Sequence, residues 1–167
     1  MADERDYLAT YAEAAPDRLA VVEDDVVLDY ATFNRRVNRM ANVLAGAGVR
    51  TADKVLWVGQ NSADVVVVVN ALRKVKAVGV PMNYRLTAEE AQYVIDNSDS
   101  VAVLFDPEQT AQLDGLQDQC PKVKHWLAFR CPPGDQPGWA TNLDDRMAVA
   151  DEGEPVSHGE DGTAGRR

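Results

Sequence analysis

The chain has 167 residues, 46% of them hydrophobic, and a formal charge of −10, which suits one domain with a sizeable core and hardly two. An acidic surface repels phosphates and so argues against nucleic acid or anionic membranes as partners. Two cysteines are too few for a disulfide framework, the longest apolar run (residues 65–69) is too short to span a bilayer, and the acidic start Met1-Ala2-Asp3-Glu4-Arg5-Asp6 is the opposite of a signal peptide, so the expectation is a cytoplasmic protein with no integral membrane segment.

In chain order, residues 3–15 place Tyr7, Leu8, Tyr11, Ala12 and Ala15 at spacings of three and four, an amphipathic helix stopped by Pro16. Residues 19–22 and 26–30 are β-rich runs joined by Glu23-Asp24-Asp25 and read as a hairpin. Residues 32–45 put Phe33, Val37, Met40, Ala41 and Leu44 on one helical face, with Gly46 and Gly48 suited to its C-terminal cap. Residues 54–58 are an apolar strand, followed by Gly59-Gln60-Asn61-Ser62, a loop ending in a helix cap.

The next segment carries a conflict. Val65 to Val69 are consecutive valines, which by propensity favour strand. Yet Ser62 caps a helix, the segment is helix-long, and Val65, Val68, Val69, Leu72 and Val75 share a helical face. A strand here would leave no crossover between residues 54–58 and 77–80, so the reading is helix.

Val78-Gly79-Val80 then reads as a buried strand that stops at Pro81 or runs at a sheet edge, because proline has no N–H for the ladder. Thr87-Ala88-Glu89-Glu90 is a capping box that opens a helix over residues 87–97. Residues 101–105 are a strand, 107–119 a helix with Thr110, Leu113 and Leu116 inward, and 123–129 a further strand. The alternation implies an α/β fold, an open, mainly parallel sheet flanked by helices. The folded unit is expected over residues 1–130. Residues 131–167, beginning Cys131-Pro132-Pro133-Gly134, form a Pro/Gly-rich acidic tail expected to be disordered.

Candidate chemistry is sparse. No Gly-rich phosphate loop of the Rossmann or Walker type and no G-x-S-x-G elbow is present. Cys120, His125 and Cys131 match no zinc spacing and lack a fourth ligand, and His158 falls in the expected tail. Asp24-Asp25, Asp144-Asp145 and Asp151-Glu152 are chain neighbours that do not face one another, hence solvated charges rather than acid/base dyads. Glu89 and Glu90 serve a helix N-terminus. Arg85 is the charged residue to watch, in the turn at the sheet's ligand end, with a structural tie to a loop carbonyl or carboxylate as the simpler role. No catalytic, cofactor-binding or metal residue is assigned.

Several stretches resemble the N-terminal subdomain of the acyl-adenylate-forming ligases, the fatty acid–CoA synthetase family. Leu28-Asp29-Tyr30-Ala31-Thr32-Phe33 is similar to "L-T-Y-A-E-L". Asn38-Arg39-Met40-Ala41 through Val55 is similar to "N-R-x-A-x-x-L-x-x-x-G-V-x-x-G-D-x-V", and Asn61-Ser62-Ala63-Asp64 to "N-S-x-E". Residues 71–90, with Val80-Pro81-Met82-Asn83-Tyr84-Arg85-Leu86-Thr87, resemble "A-x-x-K-x-G-A-V-x-V-P-L-N-x-R-L-x-x-x-E", and Tyr93 to Ser98 resemble "Y-x-x-x-x-S". Order and spacing over residues 16–129 carry the likeness.

The resemblance implies that the whole enzyme activates a carboxylic acid with ATP and Mg²⁺ through an acyl-adenylate and passes the acyl group to coenzyme A. Its phosphate loop, adenine and metal motifs and catalytic lysine are not expected in this chain. Asp161-Gly162-Thr163-Ala164-Gly165-Arg166 is either an altered echo of that loop or a coincidence in a glycine-rich tail. Lys76 departs from the family's glycine and is expected to loosen helix–strand packing. The implied function is a truncated or split ligase, inactive alone and needing none of these cofactors itself. Its partner would be the rest of the synthetase. The alternative is a non-catalytic interaction or oligomerisation module that self-associates through an exposed apolar face.

Overall fold

Asp6 opens the first helix by accepting hydrogen bonds from the N–H groups of Leu8 and Ala9, and α1 runs Tyr7–Ala14. The structure, a computed structural model, describes residues 6–155. The hairpin forms as expected: β1 (Leu19–Glu23) pairs antiparallel with β2 (Val26–Asp29). Asp24 turns the corner at φ 47°, a left-handed conformation that aspartate tolerates. Asp29 then caps α2 (Tyr30–Gly46) through the Thr32 N–H at 2.7 Å, and Phe33, Val37, Met40, Ala41 and Leu44 are buried along it.

The main sheet is built from β3 (Lys54–Val58), β4 (Val78–Met82), β5 (Ala102–Phe105), β6 (His125–Ala128) and β7 (Thr141–Asn142). Their order is β4-β3-β5-β6-β7, and every neighbouring pair is parallel. Pro81 lies within β4, an edge strand, which is one of the two places open to it. Helices α3 (Ala63–Lys74), α4 (Ala88–Asn97) and α5 (Thr110–Leu113) make the connections, and α6 (Leu143–Ala148) follows β7.

Strand side chains alternate between two cores. Val55, Ala102, Leu104 and Leu127 face α2, α3 and α6, whereas Leu56, Val58, Val103, Phe105 and Trp126 face α4 and α5. With both faces covered, the sheet residues read as unbroken apolar runs, as parallel sheets do.

The valine run is helical. Ser62 caps α3 by accepting from the Val65 N–H, and Val65, Val67 and Val68 are buried. The inward face differs from the expected one: Val69 is 47% exposed and Val67 fully buried. The capping box of α4 forms in both directions between Thr87 and Glu90.

Three expectations need correcting. The helix over residues 107–119 is a 3₁₀ turn (Pro107–Gln109) and the single turn of α5, which ends before Gly115 at φ +79°. Leu113 and Leu116 are buried nonetheless, so their apolar spacing reflects irregular packing rather than one helix. The folded unit also runs past residue 130. Trp139 stacks on Phe105, β7 joins the sheet, and α6 buries Leu143 and Met147 beside α2. Two apolar residues one turn apart suffice to dock a short helix, a density too low to stand out from an acidic background. Lys76, finally, is exposed, at φ 58° directly after α3. The position favours glycine because of its left-handed backbone, not because of close packing. His158 and residues 161–166 lie outside the described residues.

Candidate functional site

In an open parallel sheet the crevice lies beyond the carboxyl ends of the strands, where successive crossovers leave in opposite directions. Here that point falls between β3, whose crossover leads to β4, and β5, whose chain moves on to β6. Gly59 ends β3 at this point. A Cβ there would lie 3.1 Å from Phe129 Cζ and 3.2 Å from Asp106 Cβ, so any larger residue would press these two side chains back by a few tenths of an ångström. The Gln60 side-chain amide crosses the crevice to the Glu108 carboxylate at 2.9 Å.

A charge network borders it. Asp106 is buried, caps the 3₁₀ turn through the Glu108 N–H, and lies 3.3 Å from Arg130 Nη1. Arg130 also reaches Asp64 at 3.7 Å, and Arg36 pairs with the same Asp64 carboxylate. Asp144 accepts the Cys131 N–H at 2.9 Å. Burial, and secondly the charge of Asp64, push the Asp144 carboxyl above its ordinary range against that hydrogen bond. These groups tie β5, β6, α2, α3 and α6 together at one edge. None forms a nucleophile–base pair, and each carboxylate apart from Asp144 is spent on an arginine. A cleft of about 470 Å³ opens beside the network, lined by Trp57, Gln60, Asn61, Met82, Asn83 and Tyr84. Its walls are amides and apolar surface without a charge.

Arg85 follows the cleft residue Tyr84 in the chain, and among the described residues its side chain has no tie to a carbonyl or carboxylate. Its guanidinium is exposed, 5.3 Å from the centre of the Tyr84 ring. Cys120 and Cys131 are buried free thiols, each raised chiefly by burial, so neither is an activated nucleophile. Among the described residues no cluster of three His, Cys, Asp or Glu is placed to hold a metal ion. Nor is any described helix long and apolar enough to cross a membrane.

The crevice network was not visible in the sequence. Asp106 and Arg130 stand 24 residues apart in the chain, and no local pattern marks them as partners. A second polar centre was missed as well. Lys74 is buried, its side chain 1% exposed, with Nζ 2.7 Å from both Asn34 Oδ1 and Asn38 Oδ1.

The fold and edge geometry agree with what comparison finds. The AMP-binding enzyme family matches residues 8–161. The chain belongs to the AMP-binding enzymes. Within that family it is 31% identical over 149 residues to the long-chain-fatty-acid–CoA ligase FadD13 of Mycobacterium tuberculosis, covering 87% of this chain and 28% of that protein. It is 32% identical over 112 residues to 3-oxocholest-4-en-26-oate–CoA ligase of Rhodococcus rhodochrous, covering 67% of this chain and 20% of the relative. Of solved AMP-binding enzymes, the Mycobacterium tuberculosis fatty acyl CoA synthetase superposes with a TM-score of 0.78 at 28% identity, over 89% of this chain and 28% of that one. The N-terminal domain of FACL13 from the same organism gives 0.74 at 28% identity, over 90% and 36%. The chain thus has the fold of about a third of an acyl-CoA synthetase N-terminal domain and spans roughly a fifth to three tenths of these curated relatives' length.

Proposed function

We propose that this chain supplies the N-terminal subdomain of a fatty acid–CoA ligase and makes no acyl-CoA by itself. The observation that carries the reading is the match over residues 8–161, together with relatives that are fatty acid–CoA ligases. In the whole enzyme a carboxylic acid is activated with ATP and Mg²⁺ and transferred to coenzyme A. The described residues do not fit those groups. Asp64 and Asp106 at the crevice are paired with arginines, and no glycine-rich turn there aims backbone N–H groups at a phosphate. The chain's own part is structural. The two-faced sheet and its charge network form a rigid body on which the rest of a synthetase is built. A cytoplasmic location suits the two unpaired, buried cysteines.

The test is ATP–pyrophosphate exchange with a series of fatty acids. The purified chain is expected to give no exchange above buffer, and turnover would overturn the reading. A second reading, a self-associating module, is favoured by one observation. Leu19, Val22 and Val27 of the hairpin are 55–62% exposed, and Val66 and Val69 of α3 are also exposed. Light scattering across a concentration series decides it, because a strict monomer removes that reading.

A further inference from the structure

Asn34, Asn38 and Asn42 follow one another at four-residue spacing along α2, so they form one stripe on its surface. All three hold residues 151–155, which cross the helix as a strap. Asn42 Nδ2 donates to the carbonyls of Asp151 and Gly153, each at 2.9 Å. Asn38 Nδ2 donates to the Glu152 carbonyl at 2.8 Å and to Glu154 Oε1 at 2.9 Å, and Asn34 Nδ2 to Glu154 Oε1 at 3.0 Å. At the end of the stripe the buried Lys74 ammonium reaches Glu154 Oε2 at 2.6 Å. Arg39 pairs with Glu152.

Two features set this attachment apart from the rest of the fold. First, it is polar throughout: residues 151–154 are exposed and Pro155 only partly covered, so no apolar burial holds the strap. Second, Lys74 has another carboxylate partner, Asp6 Oδ1 at 3.4 Å, besides the two asparagine oxygens. If the strap leaves, the buried ammonium keeps an anion and two acceptors, and the usual penalty for stranding a buried charge is avoided. Segments held this way open with a free energy well below that of global unfolding.

We propose that the asparagine stripe and Lys74 form a docking track for an extended acidic segment, and that residues 151–155 occupy it as a reversible clasp. The clasp opens while the sheet stays folded. Opening withdraws Glu152 from a groove of about 310 Å³ that is also lined by Arg35, Arg36, Arg39 and Met147. The groove then loses one wall, and Arg39 loses its partner. The clasp thereby decides whether the arginines of the α2–α6 groove face the Glu152 carboxylate or open solvent.

Limited proteolysis of the full chain with a glutamate-specific protease, read by mass spectrometry across a urea series and scaled to an unstructured control peptide, tests this. Cleavage after Glu152 is expected at least tenfold faster than cleavage after Glu90 of α4, with little dependence on urea. Glu154→Gln is expected to raise cleavage after Glu152 a further tenfold while its urea dependence stays flat. The proposal fails if cleavage after Glu152 follows the same urea dependence as cleavage after Glu90. It fails equally if Glu154→Gln leaves cleavage after Glu152 as in the unmodified chain. Should the variant not fold, the urea series on the unmodified chain decides alone.

Discussion

Lys76 shows how one backbone angle outweighs a side chain's character. It stands after α3 at φ 58°, where its carbonyl accepts from the Ala52 N–H at 2.8 Å. A left-handed conformation costs a non-glycine residue about 1–2 kcal/mol. Glycine removes that cost but adds about 0.5–1 kcal/mol of unfolded-chain entropy. Lys76→Gly is therefore expected to stabilise the fold by about 0.5–1 kcal/mol, read as a rise in urea midpoint at constant slope. Residue-level signals of this local kind were readable in the sequence. Thr87 and Glu90 cap α4, and Ser62 caps α3, because each cap depends only on residues within one turn. The pairing of Asp106 with Arg130, and of Lys74 with Glu154, depends on which strands and helices become neighbours. Nothing local in the sequence marks such partners.

At the scale of elements, α3 is the informative case. Propensity alone favours a strand for residues 65–69, yet a capped start and the need for a crossover between parallel strands impose a helix. The helix then has three buried valines and two exposed ones. Val67→Ala removes two buried methyl groups from a packed site and is expected to cost on the order of 2 kcal/mol. Val66→Ala exchanges a partly exposed β-branched residue for the best helix former and is expected to fall within about 0.5 kcal/mol of neutral. Equal losses in thermal unfolding at the two positions would mean that the burial pattern is wrong. Element type was legible wherever apolar spacing met a cap, as in α2 and α4. Elements failed where they are short and held by distant partners. β7 has two residues and exists only because β6 lies alongside, and α6 exists only because α2 receives Leu143 and Met147.

For the molecule as a whole, two carboxylates near the chain's ends report on acid stability. Burial pushes the Asp6 carboxyl up, but hydrogen bonds from Arg73 and the Ala9 N–H and the charge of Lys74 outweigh it and hold it low. Glu154 is likewise raised by burial and brought below its ordinary range by Lys74, Asn38 and Asn34. Folded values below unfolded ones mean stability that is present at neutral pH and lost as pH falls through the folded values. The melting temperature is thus expected to be level from pH 7 to 5 and to drop below about pH 4, near and under the ordinary values of 3.8 and 4.5. Asp144, shifted the other way, destabilises when ionised and softens the drop. In Glu154→Gln the drop should be shallower, and an unchanged profile would remove Glu154 from this account.

Pro81 has a consequence at the same scale. The Val78 N–H points to β3, bonding the Asp53 carbonyl at 2.8 Å. By the alternation of a parallel ladder, Val80 and Met82 point the same way, and positions 79 and 81 turn outward. The free margin of the sheet then offers a newcomer one outward amide, that of Gly79, and a ring where the next should be. Two outward carbonyls remain but only one donor, so a passing strand finds little to zip onto, and this margin of the parallel sheet is guarded against runaway stacking in a crowded solution.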